Sequence, residues 1–380
     1  CESDYAKLVP VGMEQPGQSE QPTEPGQPAV PDAPGTYTVK KGDSWSSICT
    51  NFYGTNAQRY ELIKANKNAA LKEGAVITLP EKLGKDTLIR EEFQRPGGCP
   101  FNVAKTLQNL GVEPVIWSAL SDDPMGRELR AVLAAEGMSS RAVYPLPGEK
   151  TGYCMVVLDR EGERTFFTYR GCEGHFDPGR ADPALAEEVS AVFVTGIYLL
   201  YPGWSGLAVD FLEQLAARGL PVLFDPGPLL GEMDPALLRR MLDLSAILTP
   251  NAAEREQIEK ALDIPDLPGW GLHHGMRCVL ETRGERGAVL YLPEGAVELP
   301  PCPARVVDTT GTGDSFAGGL LAGLLCHGDL VRAAREASAC GALTAEALGA
   351  HRAFGWEEVR ARAAQAAATC AAADSPPAGR

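Results

Sequence analysis

The feature that most constrains the fold is a repeated alternation of short apolar runs with amphipathic runs. PVIWSAL is followed by GRELRAVLAAEGM, AVFVTGIYL by GLAVDFLEQLAARGL, PVLFDPG by PALLRRMLDL, and AILTP by AAEREQIEKAL. Short apolar runs are typical of buried strands, and longer amphipathic runs are typical of helices. Consecutive strand–helix units build right-handed crossovers and a parallel sheet. The sequence therefore predicts an α/β domain whose parallel sheet is flanked by helices.

Two segments interrupt this alternation with pairs of strand-like runs. GYCMVVLDREGERTFFTYR predicts a hairpin around the turn Arg160-Glu161-Gly162, and RCVLETRGERGAVLYLPEG predicts a second strand pair. The first hairpin is expected to project from the sheet as a small β lid. Its exposed strand edges invite pairing with a second copy, so a homodimer is expected to form there.

Composition excludes several classes of function. The chain has a formal net charge of −15 and no cluster of Lys or Arg, which argues against binding to nucleic acid or to anionic membranes. No apolar run reaches the length of a membrane span. The ten cysteines include no CxxC pair, and this pattern indicates reduced thiols in a cytosolic protein rather than a disulfide framework.

The first 35 residues have a different composition from the rest of the chain. They are rich in Pro, Gln, Glu and Gly, and residues 1–35 are predicted to be a disordered linker because they cannot bury enough apolar surface. The sequence starts with Cys1 rather than Met. A mature lipoprotein anchored at the cell envelope through Cys1 and a trimmed reading frame both explain this start.

A compact pattern follows in residues 36–80. YTVKKGDSWSSIC, YGTNAQRYELIKAN and LKEGAVITLP predict the order strand, helix, helix, strand. The stretch resembles the LysM (lysin motif) domains, and that resemblance implies binding of N-acetylglucosamine glycans such as peptidoglycan or chitin. The implied glycan groove maps to two loops, namely Gly42, Asp43, Ser44 and Ala65, Asn66, Lys67. Asp43 and Ser44 are also suited to cap the first helix, and the two roles are compatible.

The densest run of small and polar residues in the second half of the chain is DTTGTGDSFAGG, residues 308–319. Gly311 and Gly313 permit a tight turn into a helix whose free N–H groups form an anion site. Phe316 stands where a dinucleotide fingerprint needs glycine, and the run lacks the lysine of a P-loop. Asp314 is either a helix cap or a general base beside a transferring phosphoryl group.

Two further motifs carry polar groups at helix starts. PGGCPFNVAKTLQNLG places Gly97 and Gly98 before a helix and Asn102 in its first turn, where a polyol can lie against the backbone. TPNAAE ends a strand with Asn251 and Glu254, whose oxygens suit water-mediated binding of Mg²⁺. A simple helix cap is the alternative for this second pair.

Together these motifs resemble the ribokinase-like (PfkB) carbohydrate kinases. PGGCPFNVAKTLQNLG, LTPNAAE, LETRGERGA and DTTGTGDSFAGG occur in the family order. The resemblance covers Pro96 to about Ala364 and implies a kinase domain at 81–366, with a disordered tail at 367–380. It implies transfer of phosphate from ATP, with Mg²⁺, to a hydroxyl of a sugar or nucleoside.

The resemblance also implies a role for individual residues. Asp314 would be the catalytic base, and the anion hole would be formed by Gly311, Thr312 and Gly313. The nucleotide and its metal would be bound by Asn251, Glu254 (through water), Thr282, Gly284 and Gly287. The acceptor would be held by Gly97, Gly98, Asn102 and Arg170, although Arg170 is equally suited to a solvated edge.

One region departs from the family pattern. The family opens with an apolar strand that carries a sugar-binding Asp, whereas this chain has LPEKLGKDTLIREEFQRPGG, in which Asp86 is a weak substitute. Two hypotheses follow. The first is an active cytoplasmic kinase with an attached glycan-binding module. The second is a surface-anchored glycan-binding lipoprotein with an inactive kinase-like domain, and a fused reading frame would explain the same features.

Overall fold

The chain forms two compact units, Cys1–Gln94 and Arg95–Arg380. A computed structural model describes residues 36–53, 59–67, 70–73, 75–79, 94–158, 164–175, 177–180, 184–201 and 203–373. The predicted linker at 1–35, the lid turn at 160–162 and Asp86 lie outside these residues.

The described part of the first unit has two strands and two helices. They are β1 (Thr36–Thr38), α1 (Trp45–Tyr53), α2 (Arg59–Ala65) and β2 (Val76–Thr78). The strands pair antiparallel, with Tyr37 opposite Ile77, and both side chains are buried with Ile48 and Leu62. The predicted order strand, helix, helix, strand is therefore confirmed.

The second unit begins with a helix and two small sheets. After α3 (Cys99–Asn109), the parallel strands β3 (Ser118–Leu120) and β4 (Val143–Pro145) flank α4 (Pro124–Ala135). The antiparallel strands β5 (Tyr153–Leu158) and β6 (Arg164–Tyr169) form the predicted hairpin. We call this β5–β6 hairpin the lid.

The main sheet of the second unit has six described strands in the order β12-β11-β10-β9-β8-β7. In chain order they are β7 (Val192–Thr195), β8 (Val222–Asp225), β9 (Ile247–Leu248), β10 (Cys278–Thr282), β11 (Ala288–Leu292) and β12 (Gly295–Leu299). Strands β7 to β10 run parallel, but β11 and β12 run antiparallel to their neighbours. The predicted parallel sheet is therefore wrong at this edge, because short turns can join only antiparallel strands. The sheet is mixed.

Helices cover both faces of this sheet. They are α5 (Leu185–Glu188), α6 (Ser205–Ala217), α7 (Pro235–Leu244), α8 (Ala252–Leu262), α9 (Leu267–His273), α10 (Thr312–His327), α11 (Leu330–Ala345) and α12 (Trp356–Ala373). Successive residues of β10 point to opposite faces: Leu280 packs in a core with α3, α10 and α11, and Val279 packs in a core with α6 to α8. Helix α12 continues to Ala373, so the disordered tail predicted from residue 367 is wrong up to that point.

Helix α10 is packed tightly on both sides. A Cβ atom added to Gly318 would lie 2.8 Å from Thr106 Cβ of α3, and one added to Gly319 would lie 2.7 Å from Cys340 Sγ of α11. Ser315 shares buried hydroxyl contacts of 2.9 Å with Thr106 and 2.6 Å with Thr344. These contacts hold the start of α10 against two neighbouring helices.

The described part of the chain contains no helix both long and apolar enough to cross a membrane. The cysteines whose side chains it describes are all free thiols.

Candidate active site

The start of α10 is an open helix end. Gly311 is the residue before the helix, with φ +73°, and it provides no side-chain cap. A Cβ atom at Gly311 would lie 2.1 Å from the carbonyl oxygen of Ala350, whereas one at Gly313 would meet nothing within 4 Å. The carboxylate of Asp308 accepts bonds of 2.9 Å from the N–H groups of Thr310 and Gly349 and so fixes the turn. The N–H of Thr312 donates to the carbonyl of Thr309 at 3.3 Å, and the uncapped helix start beyond it is suited to an anion.

Asp314 lies in the first turn of α10 and faces α3. Its Oδ2 accepts a hydrogen bond of 2.8 Å from Nδ2 of Asn102, and the Cys99 thiol also bonds to its carboxylate. Burial raises the pKa of Asp314, and these two hydrogen bonds oppose the rise. With no side-chain cap at this helix end, the capping alternative for Asp314 is not observed. A partly buried carboxylate with a raised pKa is suited to accept a proton.

The opposing residues belong to the turn into α3. Gly98 precedes that helix with φ +93°, a conformation that favours glycine, and Gly97 is exposed beside it. Asn102 is only 5% exposed, and its Oδ1 atom is buried without a partner among the described residues. An unpaired buried acceptor is costly, so it marks a place where a ligand hydroxyl can donate.

Asp225, which no sequence motif indicated, lies in the same cluster. It is the last residue of β8, and Thr249 Oγ1 donates to its Oδ2 at 3.4 Å. Burial, then the charges of Glu254 and Asp314, raise the pKa of Asp225 well above its ordinary value. The signal was present in PVLFDPG, since an acid that ends a parallel strand lies at the edge where α/β sheets bind ligands.

Asn251 and Glu254 form a capping box at the start of α8. Glu254 N–H donates to Asn251 Oδ1 and Asn251 N–H donates to Glu254 Oε2, each at 2.9 Å. The capping alternative is therefore present, and Glu254 is nevertheless 7% exposed with a pKa raised by burial. The charge of Glu254 raises the pKa of Asp225, so the capping residue also contributes a carboxylate to the acidic cluster.

The predicted nucleotide residues follow β10. Thr282 N–H donates to the carbonyl of Pro250 at 2.9 Å, which places Thr282 beside Asn251. Gly284 has φ +57° and open space around it. Gly287 has φ +83°, and a Cβ atom there would lie 2.1 Å from the carbonyl oxygen of Leu299. The turn can therefore be made only with glycine at 287.

Arg170 lies at the end of the lid but already has partners there. Its guanidinium donates to Glu232 Oε2 at 3.0 Å and to the carbonyl of Leu200 at 3.3 Å. Tyr198, which no sequence motif indicated, lies beside the turn into α3. Its Oη atom is 3.1 Å from the position of a Cβ atom on Gly98, and burial followed by the charges of Cys99, Glu173, Tyr201 and Asp314 raises its pKa.

The acidic cluster fits a metal ion that is held only partly by protein. Glu254 is buried and Asp225 and Asp314 are partly buried, and no Lys or Arg is among the main influences on their pKa values. In the described residues, no three His, Cys, Asp or Glu side chains come together closely enough to hold a metal alone. Mg²⁺ usually keeps water and phosphate ligands beside one or two carboxylates, which agrees with both observations.

A family model for pfkB family carbohydrate kinases matches residues 76–354. The chain belongs to this family. The pfkB kinase match begins inside the range predicted for the LysM domain, at β2. The enzyme is therefore a carbohydrate kinase with a ribokinase-like α/β fold.

Relatives of this pfkB kinase act on different acceptors. It is 31% identical to a fructokinase of Klebsiella pneumoniae, over 70% of this chain and 91% of the relative. It is 30% identical to an ATP-dependent ribose-1-phosphate kinase of Halopiger xanaduensis, over 72% of this chain and 88% of the relative. The structure of a nucleoside kinase of Burkholderia thailandensis in complex with inosine matches with a TM-score of 0.63 at 28% identity. The match covers 73% of this chain and 89% of that kinase.

Four of the residues predicted to bind glycan contribute to the fold of the first unit. Ser44 and Ser47 exchange hydrogen bonds at the start of α1, which is a cap. Asp43 Oδ2 accepts from Lys40 N–H at 2.7 Å beside Gly42, whose φ is +90°. Asn66 exchanges bonds of 2.9 and 2.7 Å with the backbone of Thr78.

Proposed function

We propose that the chain transfers the γ-phosphoryl group of ATP to a hydroxyl of a sugar or nucleoside, with Asp314 as general base. The observation that carries the proposal is the partly buried Asp314 carboxylate, which is bonded to Asn102 beside an uncapped helix start. The carboxylate takes the proton of the acceptor hydroxyl, while the oxygen of that hydroxyl forms a bond to the γ-phosphorus. The bond from that phosphorus to the β–γ bridging oxygen breaks, and ADP leaves.

The helix start supports the phosphate side of this reaction. The N–H groups of Gly311, Thr312 and Gly313 would donate to the transferring phosphoryl oxygens and stabilise the charge that develops there. Thr282, Gly284 and Gly287 would form the wall against which the nucleotide lies. Mg²⁺ would be held by Glu254 through water, near Asn251 and Asp225, and when bound it neutralises phosphate charge.

The acceptor would lie on Gly97 and Gly98, with one hydroxyl donating to the unpaired Oδ1 of Asn102. The relatives' names support a sugar or a nucleoside as the acceptor, since they include a fructokinase and a nucleoside kinase bound to inosine. Arg170 would contribute only if it exchanged Glu232 for the substrate. Because the reaction consumes ATP, the proposed place of action is the cytoplasm.

The proposed function is tested by ADP release from the purified full chain with ATP and Mg²⁺. The acceptor panel consists of keto-hexoses, pentoses, pentose phosphates and nucleosides, and an assay without acceptor measures background hydrolysis. We expect turnover with at least one acceptor at kcat of about 1–100 s⁻¹. A folded protein that releases no ADP above background with the whole panel would contradict the kinase proposal and favour the alternative, a glycan-binding lipoprotein with an inactive kinase-like domain.

We also propose that residues 36–80 are a LysM module that binds peptidoglycan or chitin. The exposed loop at Gly42 and Ser44 and the order of elements support this. The full chain is expected to sediment with insoluble chitin or peptidoglycan, and soluble chitin oligosaccharide should release it. Cellulose oligosaccharide, which lacks acetamido groups, is the matched control. If neither polymer retains the chain, the module is not a LysM domain and a fused reading frame gains support.

A second copy of the chain is the partner proposed for the lid. Large apolar side chains of both lid strands are exposed, among them Met155 (44%), Phe166 (56%) and Phe167 (53%). A two-stranded ribbon is marginally stable alone, and lid-to-lid pairing would cover this surface. Sedimentation should give twice the monomer mass for the wild type and a monomer for Phe166→Lys. A monomeric wild type at micromolar concentration would reject the dimer.

A further inference from the structure

The two chain segments that enter and leave the lid meet at one carboxylate. Gly152, just before β5, donates its N–H to Glu173 Oε2 at 3.0 Å. Gly171, just after β6, donates its N–H to Glu173 Oε1 at 3.0 Å. Glu173 therefore bonds to both ends of the hairpin at once.

The geometry around this carboxylate leaves no room for side chains at the two glycines. A Cβ atom on Gly152 would lie 2.2 Å from Glu173 Oε1, and one on Gly171 would lie 2.1 Å from the nitrogen of Gly152. Cys172 N–H also donates to the carbonyl of Lys150 at 2.8 Å, which ties the two segments a second time. The lid thus leaves the body of the unit from a tightly packed pair of backbones.

The same carboxylate is bonded to the wall of the candidate active site. Tyr201 donates its hydroxyl to Glu173 Oε1 at 2.6 Å. The ring of Tyr201 stacks on that of Tyr198, with centroids 6.4 Å apart and planes 7° apart. The Oη atom of Tyr198 lies 3.1 Å from the position of a Cβ atom on Gly98, in the turn proposed to hold the acceptor.

We propose that Glu173 is a positioning residue, which fixes the direction of the lid relative to the acceptor site through Gly152, Gly171 and Tyr201. An ionised carboxylate accepts all three donors, and its bonds to them are stronger than bonds between neutral groups. A glutamine cannot replace it, because its amide nitrogen would face one of the donors. The kinetic part of this proposal rests on the proposed kinase function.

The first test is hydrogen exchange of the full chain carrying Glu173→Gln. The glutamine amide nitrogen can face only one of the two lid amides, so loss of that hydrogen bond to a charged acceptor is expected to speed exchange at the Gly152 or the Gly171 amide by about tenfold to a hundredfold. Glu149→Gln, which changes an exposed glutamate close to the lid, is the matched control and should leave exchange at these two amides unchanged. Wild-type exchange at both amides in Glu173→Gln would overturn the proposal.

The second test is steady-state kinetics with an acceptor found in the panel assay. Glu173→Gln is expected to raise KM for the acceptor about tenfold or more and to leave KM for ATP within about twofold. Tyr201→Phe removes one donor and keeps both lid amide bonds, so it should raise KM for the acceptor while lid exchange stays at the wild-type rate. Equal increases of both KM values in Glu173→Gln would indicate a general structural defect and overturn the positioning role. If the wild type has no turnover, the kinase proposal fails, and hydrogen exchange alone decides the role of Glu173.

Discussion

Replacing Asp314 by asparagine should lower kcat by about 10²- to 10⁴-fold, the range for loss of a general base. Asparagine keeps the size of the side chain, and its oxygen can still accept the bond that Asn102 donates at 2.8 Å. It cannot take a proton from the acceptor hydroxyl. The measurement is ADP release by the full-length variant with an acceptor from the panel assay. A variant that keeps more than about a tenth of the wild-type kcat would contradict the assignment of Asp314 as base.

Asp329→Asn is the matched control for this substitution. Asp329 is exposed and caps α11 through the N–H of Arg332, at 3.0 Å. Asparagine caps helices about as well as aspartate, so kcat and stability should both stay at the wild-type value. Comparing the two variants therefore separates the effect of losing the Asp314 carboxylate from the effect of losing any acidic side chain.

The Asp314→Asn variant should also be at least as stable as the wild type at neutral pH. Burial raises the pKa of Asp314 in the folded state above its value in the unfolded chain, so folding disfavours the charged form. As pH rises from the pKa of Asp314 in the unfolded chain through its higher pKa in the folded chain, the wild type therefore loses stability relative to the variant. Below the pKa of the unfolded chain, the two proteins should have the same free energy of unfolding. Urea unfolding of both proteins across this pH range measures it. For the same reason kcat of the wild type should fall as pH drops through a pKa above the ordinary range of Asp.

The parts of the fold that the sequence predicted are those with a local signature. Helix and strand periodicity gave the strand–helix alternation and the lid, and the glycines of DTTGTGDSFAGG gave the open start of α10. The direction of β11 and β12 follows from the short turns that join them, because such turns connect only antiparallel strands. The predicted parallel sheet did not take these turns into account. The end of α12 was missed because a run of alanines has high helix propensity without an apolar stripe.

Residues of the candidate site could be predicted from the sequence where several of them belong to one motif. Asn102 and Asp314 were both selected, but their hydrogen bond joins helices that are far apart in the chain, so only the structure shows it. Asp225 and Tyr198 were missed because each is a single polar residue at or just after the end of a strand, with no spacing pattern around it. Glu173 was missed for the same reason. Its importance comes from three donors that converge from separate segments.

Replacing Gly311 by alanine should cost about 2–6 kcal/mol in the free energy of unfolding. Non-glycine residues at positive φ cost about 1–3 kcal/mol, and a forced steric overlap adds a similar amount. Gly311 has φ +73°, and the new Cβ atom would lie 2.1 Å from the backbone oxygen of Ala350, which cannot rotate away as a flexible side chain would. Urea unfolding gives the stability change, and ADP release should show loss of kcat even in the fraction that folds, because the turn before α10 must shift.

Gly313→Ala is the matched control, two residues further along the same motif. A Cβ atom there meets nothing within 4 Å, and the residue is already helical, so alanine should leave stability unchanged or raise it by up to about 1 kcal/mol. The added methyl group would nevertheless stand beside the proposed phosphate site, and we expect KM for ATP to rise about tenfold, a change that corresponds to about 1.4 kcal/mol. Loss of stability in both variants would mean that the motif is mainly a packing element. Loss of stability in Gly311→Ala alone, together with weaker use of ATP by Gly313→Ala, would separate the glycine that builds the turn from the glycine that admits the phosphate.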